Sequence, residues 1–237
     1  MDAEERKVLS VLSNTNKTLF DAQKSNKHRI EALKPHVQAT RIQRLEYISI
    51  RSIDSSLDEL RDEIFNMLQF SREYLDVLKD IEAVNLYDAA EIIVEIDDVL
   101  RFNNLRHFIS YAGLAPIVKN GKRYNKLTKH YRGVVVANKK QDPVDYCENL
   151  KVVLTRCAKK LIRQSNEYNR YYGRCFERIQ YKNPTYPTKR LELMALKKVT
   201  IKFAKFVYHS FYEIAKLEEE EKEWFLVKKY WEKCMMI

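Results

Sequence analysis

The sequence predicts an all-α protein: a long N-terminal helical hairpin or coiled coil, followed by a compact basic helical domain. Three observations carry this. Only four glycines and five prolines punctuate 237 residues, too few for a turn-rich sheet protein. Apolar residues recur at steps of three and four over most of the chain. Basic side chains concentrate in one stretch: between Lys119 and His209 there are 23 Lys and Arg against 6 Asp and Glu, a net of +17, which leaves the remainder at −7.

Residues 2–33 read as the first helix, with Val8, Leu9, Val11, Leu12, Leu19, Phe20 and Ile30 on the helical period and Lys34-Pro35 as the stop. A second helix is expected from about Val37 to Lys79, carrying Ile42, Leu45, Ile48, Ile53, Leu57, Leu60, Ile64, Leu68, Tyr74 and Leu78. An amphipathic helix of this length needs a partner for its stripe. A second copy of the chain, paired through Leu45, Ile53, Leu57, Leu60 and Ile64, supplies one, and an intrachain hairpin with residues 5–30 is the alternative. Residues 1–79 thus form one expected domain, 80–216 a second, and 217–237 an amphipathic C-terminal helix that starts on four consecutive glutamates.

Residues 81–118 read as helix, turn, helix, stop. Ala89, Ile92, Ile93 and Ile96 follow one helical period, Asp97 and Asp98 interrupt it, and Phe102, Leu105, Phe108, Ile109 and Ala112 resume it before Gly113 and Pro116. Then comes a basic connection, residues 117–149, with no acid before Asp142. There Asn120-Gly121 signals a turn and Val134 to Ala137 one short strand. Lys119, Lys122, Arg123, Lys126, Lys129 and Arg132 alternate with Tyr124 and Tyr131, so cations suited to phosphates are interleaved with rings that stack on unpaired bases. Leu150 to Arg163 is a basic amphipathic helix. Pro184 and Pro187 mark a turn between two further helices, and Lys189, Arg190, Lys197, Lys198, Lys202 and Lys205 of the second are placed against phosphates.

Other classes are disfavoured. No apolar run reaches membrane-spanning length, and the start MDAEERK lacks the pattern of a secretory signal, so an intracellular protein without a membrane partner is expected. Cys147, Cys157, Cys175 and Cys234 show no C-x-x-C spacing and the five histidines are scattered, which points to buried free thiols and to no metal site.

The segment from Ile81 resembles the C-terminal domain of insertion-sequence transposases of the 110/116/902 group, DEDD transposases related to the Piv-type DNA invertases. Ile81 to Phe102 keeps that group's Ala89, Ala90, Glu95, Ile96, Asp98, Arg101 and Phe102, and Ser110-Tyr111-Ala112-Gly113-Leu114-Ala115-Pro116 repeats its second block. The resemblance implies a helix-hairpin-helix-like start to the second domain, although the group's Gly-x-Gly turn is here Ala83-Val84-Asn85. Without those glycines, direct phosphate binding by the turn is in question, and a packing role remains.

What the resemblance implies about function is DNA transposition and site-specific recombination. Its partners would be DNA and a structured guide RNA, with a homo-oligomer as the assembly and the prokaryotic cytoplasm, at the nucleoid, as the place. The group's nuclease domain carries four carboxylates for Mg²⁺, the last in a motif that Asp2-Ala3 matches. Asp2 would be the one member of that set in this chain, so the expectation is a truncated form that needs Mg²⁺ only in an absent nuclease half. The group's nucleophilic serine lies in the basic connection, where Thr128 is the nearest match; an alternative alignment puts Pro143 there. The expected function is therefore a transposase form that binds nucleic acid and oligomerises without cutting on its own. A stand-alone nucleic-acid-binding protein and a helical scaffold are the alternatives.

Overall fold

The computed structural model describes residues 3–33, 40–115, 118–119, 122–125, 130–132 and 146–235, with side chains for 4–32, 44–115 and 146–221. The fold is all-α in its frame and divides into two compact units, Met1–Asp97 and Asp98–Ile237.

The first unit is an antiparallel pair of long helices, α1 (Ala3–Leu33) and α2 (Thr40–Leu68), with α3 (Leu86–Ile96) packed on both. Polar pairs between the two long helices fix the register: Gln23 donates to Asp54, Asn26 Nδ2 to Ser49 Oγ at 2.9 Å, and Arg29 faces Glu46 at 3.6 Å. Buried asparagines along such a seam trade stability for a unique alignment. Leu9, Ile30, Leu57, Ile64 and Leu68 are buried in this unit, so the intrachain hairpin takes up much of the apolar stripe of α2. Leu45 and Ile48 remain exposed, at 60% and 65%.

The helix expected to run to Lys79 ends at Leu68. A turn follows, in which Ser71 Oγ accepts from the Tyr74 amide (3.2 Å) and donates to Glu73 (2.8 Å), and one π-turn spans Tyr74–Leu78. Arg6 of α1 ties the turn down, reaching Glu73 at 3.2 Å and Asp97 at 3.4 Å. The Ala83-Val84-Asn85 turn spends its polar groups internally. Asn85 accepts from the Asp88 amide at 2.7 Å and Asp88 reaches back to the Asn85 amide, a capping box that starts α3. Asn85 is extended, and Ala83 is almost fully buried. The packing role of this turn is what the structure displays.

The second unit begins with a 3₁₀ turn (Val99–Arg101), whose first amide partner is the Asp98 carboxylate (2.8 Å to the Leu100 amide), and continues with α4 (Leu105–Tyr111), capped by Asn104. A three-stranded antiparallel meander follows: β1 (Val118–Lys119), β2 (Lys122–Asn125) and β3 (His130–Arg132). Nothing in the amino-acid order announces these strands except Asn120-Gly121, the dipeptide that favours a two-residue hairpin connection. They are short and cationic, without the apolar alternation that marks a strand. The strand expected at Val134 to Ala137 lies outside the described residues.

Three helices complete the unit: α5 (Glu148–Gln164), α6 (Asn166–Lys182) and α7 (Thr188–Met235). The last is one helix of 48 residues, in place of the separate C-terminal helix expected from Leu217. Between Thr188 and Met235 there is neither glycine nor proline, and four glutamates are good helix formers, so nothing local stops it. The core is made by Leu150, Val153, Leu154, Cys157, Leu161, Leu191, Ala195, Val199, Phe203 and Val207, together with Phe108 of α4. No helix among the described residues is long and apolar enough to cross a membrane.

Candidate nucleic-acid interface

Most of the residues shared with the transposase group pack or cap the helices. Ala89, Ala90 and Ile96 are fully buried in the first unit. In the second, Phe102 is buried in an aromatic cluster with Phe108 (5.3 Å between centroids) and Tyr111 (5.2 Å), and the Arg101 guanidinium lies 4.8 Å from the Phe102 ring and 4.7 Å from that of Tyr111.

Gly113 ends α4 in a Schellman turn, with the Gly113 amide on the Ser110 carbonyl (2.9 Å) and the Leu114 amide on that of Ile109 (3.0 Å). Its φ of +63° is left-handed, and a Cβ there would stand 2.5 Å from Cδ2 of Tyr146. Conformation and space both demand glycine. The Cys147 amide binds the Tyr111 carbonyl at 2.8 Å, which locks the entry of α5 onto the end of α4. Cys147 then caps α5, its sulfur accepting from the Leu150 amide at 3.3 Å.

This anchor positions cations. Lys151, one turn into α5, holds its ammonium 4.8 Å from the Tyr146 ring. Across on α7, desolvation first, and then the charges of Lys151 and Lys198, push the Lys197 ammonium below the usual lysine range. Like charges crowded in this way are strained until an anion joins them. Arg190 lies on the same side of α7 as Lys197, two turns earlier. Its guanidinium stacks 3.8 Å from the Tyr186 ring, and its Nε and Nη2 are buried with no hydrogen-bond partner. Lys189 beside it is exposed.

The structure therefore brings Lys197 and Lys198 together with Lys151, a residue that periodicity alone leaves on a helix face. In the meander the backbone register pairs Tyr124 with Tyr131, Arg123 with Arg132, and Lys119 with Lys122. Alternation along the strands puts positions 119, 122, 124 and 131 on one face. In the sequence these tyrosines are only neighbours of cations; their pairing is a product of register. Lys126, Lys129, Thr128 and Asp2 lie outside the described residues. Lys202 is structural: it pairs with Glu167 and lies 4.9 Å from the rings of both Tyr168 and Tyr171, joining α6 to α7.

The Mg²⁺ that the resemblance implies finds no ligand set among the described residues, where no group of three or more His, Cys, Asp or Glu side chains is placed to hold a metal ion. Asp54, Asp58, Glu59, Asp62 and Glu63 are strung along the exposed face of α2, while Asp97 pairs with Arg6 and Asp98 serves as a cap. Cys157 is buried and Cys147 and Cys175 are partly buried, and none of the three is in a disulfide.

No curated protein matches the chain. Residues 75–135, from the π-turn through the capping box of α3 and the Schellman turn at Gly113 to the meander, match the model of the Transposase IS116/IS110/IS902 family.

Proposed function

We propose that this chain is the nucleic-acid-binding and assembly part of an insertion-sequence transposase, holding DNA and a structured guide RNA by their phosphates and not cutting DNA by itself. The observation that carries the proposal is the family match at residues 75–135, which runs into the region of residues 119–209 with a net charge of +17. Phosphate binding of this kind releases counterions, so it is strong at low salt and tolerant of sequence. The basic connection of residues 117–149 would contribute Lys119, Lys122, Arg123, Lys126, Lys129 and Arg132 with Tyr124 and Tyr131, and α7 would contribute Lys189, Arg190, Lys197 and Lys198. A second copy would meet the exposed Leu45 and Ile48 of α2.

Cleavage would need a set of metal-binding carboxylates of which Asp2 is at most one, and a nucleophile of which Thr128 is the nearest candidate. The test is binding of the purified chain to element-end DNA, followed by fluorescence anisotropy across a salt series. Neutralising Lys122, Arg123, Lys126 and Lys129 together is expected to weaken binding by at least tenfold and flatten the salt dependence. Binding indifferent to salt, or unchanged in that variant, would refute the reading. In the same tubes, Mg²⁺ or Mn²⁺ is expected to give no strand cleavage; cleavage abolished by Asp2→Ala or Thr128→Ala would show those two residues to be catalytic after all.

A further inference from the structure

Helix α6 is unusual among the long helices of its unit, because none of its residues is buried. Where it runs beside α7 it leaves an open groove of about 560 Å³. Arg174, Arg178 and Lys182 line it from α6 and Lys198 from α7, and no carboxylate does. The three cations of α6 are spaced four residues apart, so they follow one another along a single ridge at about 6 Å per step. The groove floor is aromatic at Tyr171, whose phenol is raised by burial and by its hydrogen bond with Cys175, against the lowering effect of Arg178 and Arg174 close by.

One further residue belongs with them. Tyr181 is 89% exposed, and it stands seven residues after Arg174, two turns along the same side of α6. A tyrosine so bare gains nothing for the fold. Beside a row of cations, its ring is placed as a platform for a base that is not paired.

We infer that the α6–α7 groove binds the phosphodiester backbone of a single-stranded nucleic acid, with Arg174, Arg178, Lys182 and Lys198 on successive phosphates and Tyr181 stacking on an unpaired base. This rests on the nucleic-acid reading of the chain and gives it a site that the family-matched segment does not include. The groups that line the groove are donors of charge and hydrogen bonds with no preference for one base, so the site holds a strand without reading its sequence. A duplex keeps its bases stacked inside and offers Tyr181 nothing.

The experiment uses the full chain with fluorescein-labelled oligothymidylate, oligouridylate and a mixed-sequence duplex, titrated over a salt series. The variant Arg174→Gln/Arg178→Gln/Lys182→Gln is expected to bind both single strands about 10-fold more weakly and to lose about 2 from the slope of log affinity on log salt, at roughly 0.7 per phosphate contact. Tyr181→Ala is expected to weaken the single strands by about 5-fold or more and leave the duplex unaffected, while Tyr181→Phe keeps the wild-type affinity. The substituted side chains are exposed, and an unchanged thermal melt checks that the variants fold. Wild-type binding with the triple variant matching it in affinity and slope would overturn the groove and leave the nucleic-acid function standing. A loss confined to one of the two sugars would overturn the assignment to backbone phosphates, and an equal loss on duplex and single strand in Tyr181→Ala would overturn the stacking. A wild-type chain that binds none of the three would remove both readings together.

Discussion

Gly113 shows how one residue can be required twice. Its left-handed φ would cost an alanine about 1 kcal/mol, and the methyl group would also meet the Tyr146 ring at 2.5 Å. Gly113→Ala is therefore expected to destabilise the second unit by about 2 kcal/mol or more, read by denaturant unfolding. Adding Tyr146→Ala should recover the steric part and leave the conformational part, so the double-mutant cycle is expected to be non-additive. Lys197 offers the opposite sign. Its pKa is lowered in the folded chain by desolvation, then by Lys151 and Lys198, so the folded state favours the neutral amine. The penalty for keeping it charged is fully present at neutral pH and disappears as pH rises through the lowered folded value to the unfolded one. Lys197→Met is thus expected to raise the melting temperature at pH 7, with the gain vanishing at strongly alkaline pH. The same variant should bind nucleic acid more weakly, with a salt slope shallower by about 0.7 to 0.9. A lysine that merely decorated the surface would change neither.

At the scale of elements, the hairpin of α1 and α2 illustrates how a stripe finds its partner. Ile64 is fully buried and Leu57 nearly so, within one chain. Ile64→Ala should cost about 2 to 5 kcal/mol in unfolding experiments, whatever the protein concentration. Leu45 and Ile48 are a different case, because they are exposed in the single chain. Substituting both by Ser is expected to leave the melting temperature within about 1 °C at low concentration and to reduce any dimer seen by light scattering at high concentration. Asn85 is the element-scale counterpart of Gly113. The capping box with Asp88 starts α3, and Asn85→Ala should cost about 1 kcal/mol. At the place where the resembled pattern has Gly-x-Gly, this chain has Ala83-Val84-Asn85 and closes the turn on itself. The helices, their order and most of their ends were legible, because periodicity, Asn and Asp caps, and proline stops are local signals. The meander was not, because its two to four residues per strand carry charge in place of an alternating apolar face.

Across the whole molecule, charge is the quantity on which the proposed function rests. A net of +17 lies between residues 119 and 209 and −7 elsewhere, a partition readable by counting. Binding to any polyanion should therefore weaken steeply between low and physiological salt, and most of that dependence should vanish when the cations of the meander and of the α6–α7 groove are neutralised together. The amino-acid order by itself determined the helical class, the long amphipathic pair, the basic region and the transposase signature, since each is written in neighbours along the chain or in a count. Only the tertiary structure decided which cations act together. It set Lys197 against Lys151, placed Lys198 opposite Arg174 and Arg178, left Tyr181 bare, and showed that the signature residues Phe102, Arg101 and Gly113 hold the scaffold. Those relations join residues tens of positions apart, and no local pattern encodes a contact that exists only once the helices have packed.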